Sequence, residues 1–94
     1  MKKQIIKQMR YDSGELMHEG IYEKGGINTI KTFRKDGTLE EETQFLNGIK
    51  HGEHKEFHEN GNICLKEMYE HGVCIGDAEY FYESGEPVDF DSED

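Results

Sequence analysis

A period of 24 residues limits what this chain can fold into. Phe33, Phe57 and Phe81 stand 24 residues apart, and the segments they bound align position by position. Asp36-Gly37 matches Asn60-Gly61, Leu39 matches Ile63, and Phe45 matches Tyr69. Asn47-Gly48 matches His71-Gly72, and Gly52 matches Gly76. A fixed period of this size marks a repeat array, in which one supersecondary unit is copied and stacked on its neighbour. The unit from Ser13 to Phe33 is a less regular copy. It runs one residue short between Gly25 and Phe33 and lacks the second glycine.

Glycine punctuation identifies the unit. Xaa-Gly pairs end at Gly14, Gly25, Gly37, Gly48, Gly61, Gly72 and Gly85, spaced 11, 12, 11, 13, 11 and 13 residues apart. Asn-Gly and Asp-Gly suit tight hairpin turns, and turn signals at such spacing mark a β meander. No segment between the turns has a helical period. The expected fold is therefore all-β, a single-sheet antiparallel meander of about eight strands, the first and last partial. The array is expected over residues 1–86. Residues 87–94, PVDFDSED, hold four acidic and no basic groups, and such a tail reads as solvated and flexible.

Side chains alternate across a strand, so faces can be assigned. Leu16 shares a face with Tyr22, Leu39 with Phe45, and Ile63 and Leu65 with Tyr69. A two-residue loop at His71-Gly72 places Tyr69 opposite Cys74 and brings Gly76, Ala78, Tyr80 and Tyr82 onto the Tyr69 face. Phe57, Cys64, Met68, Val73, Ile75 and Phe81 then occupy the other face, with Cys64 opposite Glu79. A bulge at Gly52 or Gly76 would shift this register.

The pattern Phe/Tyr-x-x-Asn/Asp-Gly-x-Leu, then Tyr/Phe-x-x-Gly, then a later glycine and a closing aromatic, resembles the MORN repeat variant. FHENGNI at 57–63, MYEHG at 68–72, FYESG at 81–85, FRKDGTL at 33–39 and FLNG at 45–48 carry the resemblance, which spans residues 10–86. It implies stacked β-hairpins in one elongated sheet. It also implies a scaffold found in small bacterial proteins, some of them antitoxins of toxin–antitoxin systems. The family often has an aromatic residue two positions after the second glycine; this chain has His54 and Ala78 there, and no Trp.

Charge narrows the partners. The formal net charge is −10. Residues 1–47 hold eight basic and eight acidic groups, whereas residues 48–94 hold three basic and thirteen acidic. Such a half repels nucleic acid and anionic lipid, so neither direct nucleic-acid binding nor a membrane is expected. Two cysteines and no secretory apolar region at the N-terminus point to a reduced, cytoplasmic chain.

Catalysis finds no motif. Glu40-Glu41-Glu42 alternates faces along its strand, and no Ser-His-Asp, Cys-His or phosphate-loop pattern occurs. Metal binding was weighed on His51, His54, His58, Cys64, His71 and Cys74. His51 and His54 point to opposite faces, and His54 and His58 lie roughly 13 Å apart on a strand at ~3.3 Å per residue. No pair has zinc-finger spacing, so no metal and no cofactor is expected. Cys64 and Cys74 are too far apart in this register for a disulfide.

The expected function is non-enzymatic protein binding, of the antitoxin or immunity type, against a basic partner such as a toxin or nucleic-acid-binding enzyme. Glu53, Glu56, Glu59, Glu67, Asp77 and Glu79 would meet that partner, with Tyr80 and Tyr82 as aromatic anchors. The alternatives are a structural scaffold that self-assembles through its edge strands, and a phage-type acidic inhibitor that mimics nucleic acid.

Overall fold

The computed structural model describes residues 4–23 and 25–88. Seven strands follow one another: β1 (Gln4–Arg10), β2 (Leu16–Glu23), β3 (Ile27–Phe33), β4 (Leu39–Leu46), β5 (Ile49–Phe57), β6 (Ile63–Glu70) and β7 (Val73–Tyr80). They form one open antiparallel sheet in sequence order. No helix occurs among the described residues. An eighth strand reduces to one bridge between Phe81 and Pro87, continued by Val88 N–H donating to Tyr80 C=O at 2.8 Å. Residues 89–94, most of the expected acidic tail, lie outside the described residues.

Two kinds of turn alternate along the sheet. At one end, Asn47-Gly48 and His71-Gly72 close two-residue loops between the pairs Leu46↔Ile49 and Glu70↔Val73. Their φ values are 51° and 85°, and 50° and 86°, as a type I′ turn demands. At the other end, four five-residue turns share one hydrogen-bond pattern. Tyr11 N–H donates to Glu15 C=O, Arg34 to Thr38, His58 to Asn62 and Tyr82 to Glu86, and each turn's glycine N–H returns to the first residue's carbonyl. A side chain at the first turn position also reaches the carbonyl of the next unit's closing aromatic. The Tyr11 hydroxyl donates to Phe33 C=O at 2.8 Å, Arg34 Nη2 to Phe57 C=O, and His58 Nε2 to Phe81 C=O at 2.8 Å. The residue types differ and the bond recurs, which is how the units stay in phase despite their sequence differences.

Register irregularities recur with the repeat. One residue is skipped at Met17, Glu40 and Cys64, in β2, β4 and β6. A larger step occurs where Gly52 and Gly76 stand. Thr43 pairs with His54 but Phe45 with Lys50, and Lys66 pairs with Glu79 but Met68 with Ile75. Between these pairs three residues on one strand oppose one on the other, so the register moves by two and side chains keep their faces. Tyr69 does pair with Cys74. Beyond Gly76, however, Glu79 lies opposite Lys66, and Cys64 meets Phe81 through its carbonyl rather than facing Glu79. Both cysteines are free.

A single layer cannot enclose a core. No hydrophobic side chain is buried among the described residues. The radius of gyration is 15.3 Å, against roughly 13 Å for a compact 100-residue domain. The sheet is held by its backbone ladder and by cross-strand side-chain pairs, each contributing roughly 0.2–1 kcal/mol.

One turn offers a pH test. Asp36 Oδ1 accepts from the Thr38 hydroxyl at 2.6 Å and from the Thr38 amide at 2.9 Å. The hydroxyl bond first, and the amide bond second, hold this carboxyl below its ordinary 3.8. A carboxyl whose folded pKa is depressed contributes stability above its unfolded pKa and loses it as pH falls through the folded one. Asn60 makes the same contact to the Asn62 amide in the next turn, at 2.9 Å. Asp36→Asn keeps an acceptor for the Thr38 amide but is expected to lose the charged form's contribution at neutral pH and to flatten the decline below about pH 4. Urea denaturation at neutral and acid pH checks this; an unaltered acid limb would exclude the linkage.

Candidate functional site

The registers sort side chains into two faces with different electrostatics. One face carries a charge ladder across its middle. Gln8 faces Glu19, Glu19 faces Lys31, Lys31 faces Glu42, Glu42 faces Lys55, and Lys66 faces Glu79. The adjacent Lys55 and Lys66 would repel, but Glu53 reaches both, at 3.1 and 3.8 Å. Acidic groups on this face are thus largely compensated by basic ones.

The other face carries Tyr22, Phe45 and Tyr69. Lys7 stands 5.6 Å from the Tyr22 ring centroid and Lys50 4.9 Å from that of Tyr69, a cation–π arrangement. Beside this aromatic row run Gly20, Ile30, Thr43, His54 and Glu67, and beyond it His18, Thr32, Glu41, Glu56, Leu65 and Tyr80. Thr43 and His54 are the buried polar side chains of the described residues, at 7% and 5% exposure. His54 stands two positions after the second glycine, Gly52, and its ring meets Tyr69 edge-on at 6.3 Å.

His54 is held at both ring nitrogens. Nδ1 lies 2.8 Å from Thr43 Oγ1, and Nε2 lies 3.1 Å from Glu56 Oε2 and 4.0 Å from Glu41 Oε2. The ligand atoms of Glu41, His54 and Glu56 all fall within 4.8 Å of one another. Glu41 and Glu56 are a direct cross-strand pair, and Glu67 lies opposite His54. The Tyr69 hydroxyl donates to Glu67 Oε1 at 3.3 Å. Partial desolvation, with the nearby Glu67 charge second, pushes the Tyr69 hydroxyl above its ordinary value. Carboxylates thus converge across strands although the run Glu40-Glu41-Glu42 does not converge along its own.

The acidic and aromatic residues expected at a partner surface are distributed rather than gathered. Glu56, Glu67 and Tyr80 share the aromatic face with His54. Glu53 and Glu79 lie on the ladder face among lysines. Asp77 follows the irregular Gly76 and lines a shallow depression with Glu53, Lys66 and Glu79. Glu59 and Tyr82 stand in turns at the sheet's end. Thr43 is not singled out by the sequence, and Glu41 and His54 enter it only separately, as part of an acidic run and as a possible metal ligand. Carrying the pairing inward from the Asn47-Gly48 loop would have set Glu41 opposite His54.

The family model of the MORN repeat variant matches residues 50–71. This segment is similar to one unit of the MORN repeat variant. The matched segment begins in β5, contains Gly52, His54 and Glu56, crosses the 58–62 turn and ends in the His71-Gly72 loop. It is one period of the β-hairpin array, and the 24-residue period relates it to its neighbours. The MORN repeat is a scaffold and generally non-catalytic. No curated protein and no solved structure matches the chain. No helix of the described residues is long and apolar enough to cross a membrane.

Proposed function

We propose that this chain is a cytoplasmic, non-enzymatic binding protein of the antitoxin or immunity type, which blocks a basic partner protein with the aromatic face of its sheet. One observation supports the choice of face. Glu41, Glu56 and Glu67 gather there with no lysine or arginine paired opposite any of them, and Leu65, Tyr69 and Tyr80 flank them. Uncompensated acidic charge beside aromatic rings suits a basic protein surface, since complementary charge speeds encounter and aromatic groups anchor contact. The ladder face carries acids too, but its lysines cancel their field. The test is affinity capture from the native host, mass spectrometric identification, and reconstitution with the purified partner. A basic protein, inhibited in its own activity by stoichiometric addition of this chain, is the expected result. A captured partner with an acidic contact surface would overturn the reading, as would full activity in the complex.

A second reading, a self-assembling scaffold, draws on the open edges. Among the described residues β1 pairs only with β2 and β7 only with β6, and unpaired strand edges recruit further strands. Sedimentation that grows with concentration in the isolated chain would favour it over the first; a monomer at all concentrations would remove it.

A further inference from the structure

The two faces obey opposite rules, although the same strands build both. On the ladder face the pairing alternates sign from Glu19 to Lys55. On the aromatic face Glu41 opposes Glu56 directly, and Glu67 lies across from His54. Like charges directly opposite are destabilising. The opposition surrounds His54, the most buried side chain of the described residues. A sheet without a buried apolar core thus reserves its most enclosed position for an imidazole aimed at two carboxylates.

We propose that Glu41, His54 and Glu56 form a binding site for a divalent transition-metal cation, for which Zn²⁺ is the probe. His54 Nε2 stands 3.1 and 4.0 Å from the two carboxylate oxygens, and all three ligand atoms fall within 4.8 Å. Around a tetrahedral zinc with bonds of about 2.0–2.2 Å, ligand atoms sit about 3.3–3.5 Å apart. The Glu41 and Glu56 side chains are 41% and 43% exposed, so they can close that difference by rotation while the backbone stays in place. Thr43 supplies the outer support that a ligating histidine requires. Its Oγ1 lies 2.8 Å from Nδ1, and a hydroxyl can accept from Nδ1–H, leaving Nε2 free for the metal. One imidazole with two carboxylates fits zinc and its first-row neighbours. Magnesium and calcium prefer oxygen alone, and copper(I) prefers sulfur. The cation would relieve the repulsion between the opposed carboxylates, leave Glu67 outside its ligand set as acidic charge on the face, and keep open positions for water or a donor from a partner. Spacing along the chain argued against a metal; this site depends on pairing across strands, which spacing does not express.

The experiment titrates Zn²⁺ into the metal-free full chain by calorimetry and by competition with a chromogenic chelator. One equivalent is expected to bind, with a matching rise in melting temperature, because a ligand specific to the folded state stabilises it. E41Q/E56Q keeps the shapes of both side chains and removes the opposed charges. It is expected to fold as well as the wild type or better without metal, to bind zinc at least about tenfold more weakly, and to lose the thermal shift. T43V is expected to weaken zinc about tenfold through the misoriented ring. His51 and His71 are the competing imidazoles, with ring centroids 5.0 Å apart, so H51A/H71A is the control and is expected to bind as the wild type does. Absence of binding at zinc on the order of 100 µM would overturn the proposal. So would binding that survives E41Q/E56Q, or that disappears in H51A/H71A.

Discussion

Gly52→Ala is expected to cost about 3 kcal/mol of stability, more than any other single alanine substitution at a glycine within the strands. Gly52 has φ +107°, and a Cβ there would stand within 2.5 Å of Gln44 Oε1. Holding a non-glycine residue in such a region costs roughly 1–3 kcal/mol. Gln44 also has a task at that spot, because its Oε1 accepts from the Glu53 amide at 2.7 Å. Displacing it leaves a partly buried N–H unpaired, a further cost of about 1–3 kcal/mol. Gly76 is the matching control. Its φ is +73°, but an added Cβ would meet nothing within 4 Å, so Gly76→Ala carries the backbone strain alone. A domain of this size holds roughly 5–14 kcal/mol, and the Gly52 change should lower the melting temperature by on the order of 15 °C. Adding Gln44→Ala to Gly52→Ala should relieve only the clash and leave both the backbone strain and the unpaired Glu53 amide. Urea denaturation of the four proteins gives the comparison. Equal losses from Gly52→Ala and Gly76→Ala would mean that the Gln44 contact contributes nothing.

The same glycines explain what could be read ahead of the structure and what could not. The Xaa-Gly pairs located every turn, because the chain needs positive φ there and side chains other than Asn or His resist it. The face assignments survived the irregularities at Gly52 and Gly76 because each shift is two residues, an even number. The one-residue skips at Met17, Glu40 and Cys64, however, set Leu16, Leu39 and Ile63 opposite Arg10, Phe33 and Phe57, off the face of Tyr22, Phe45 and Tyr69 where they were expected. The pairing itself did not survive. Glu79 moved opposite Lys66, and Cys64 moved to Phe81, because the stretch around a glycine can bulge without any sequence signal for its size. The eighth strand, expected to be partial, is among the described residues a single bridge at Pro87, where proline offers no N–H to the ladder.

The site was less legible than the fold, for a geometric reason. Glu41 lies on β4 while His54 and Glu56 lie on β5, and Glu41 and His54 are thirteen positions apart. Ligand-spacing rules examine short separations along one strand or helix, so they weighed His51 against His54 and His54 against His58 and found no convergence. The partners of His54 are Glu56, two residues along its own strand, and Glu41 and Thr43 on the neighbouring one, a set that His–His and His–Cys spacing does not test. Likewise the total charge of residues 48–94 was visible, but its division between a compensated and an uncompensated face follows from which lysine lies across from which glutamate.

That division yields the second large effect. Charge reversal at Glu56 and Glu67 is expected to weaken partner binding about a hundredfold, roughly tenfold for each charge, whereas reversal at Glu53 and Glu79 should cost tenfold or less. Both pairs lie in the acidic half of the chain and remove the same formal charge. They differ in surroundings. Glu53 sits between Lys55 and Lys66, and Glu79 faces Lys66, so their fields are already cancelled at short range. Glu56 and Glu67 have no such lysine opposite and add directly to the field that draws in a basic surface. Association should slow as ionic strength rises, since charges farther apart than about 8 Å are largely screened at physiological salt. Dissociation should change less, because steering acts before contact. Glu15, Glu19 and Glu23, in the charge-balanced half, serve as the remote control, with Glu19 facing Lys31. Each variant first requires a melt to show that the sheet persists, above all Glu56→Lys, which removes a contact to His54. Surface-plasmon kinetics against the captured partner at several salt concentrations then separates the faces. Equal losses from the two pairs would place the partner across an edge rather than on the aromatic face. An association rate indifferent to salt would leave the acidic charge a role in solubility alone.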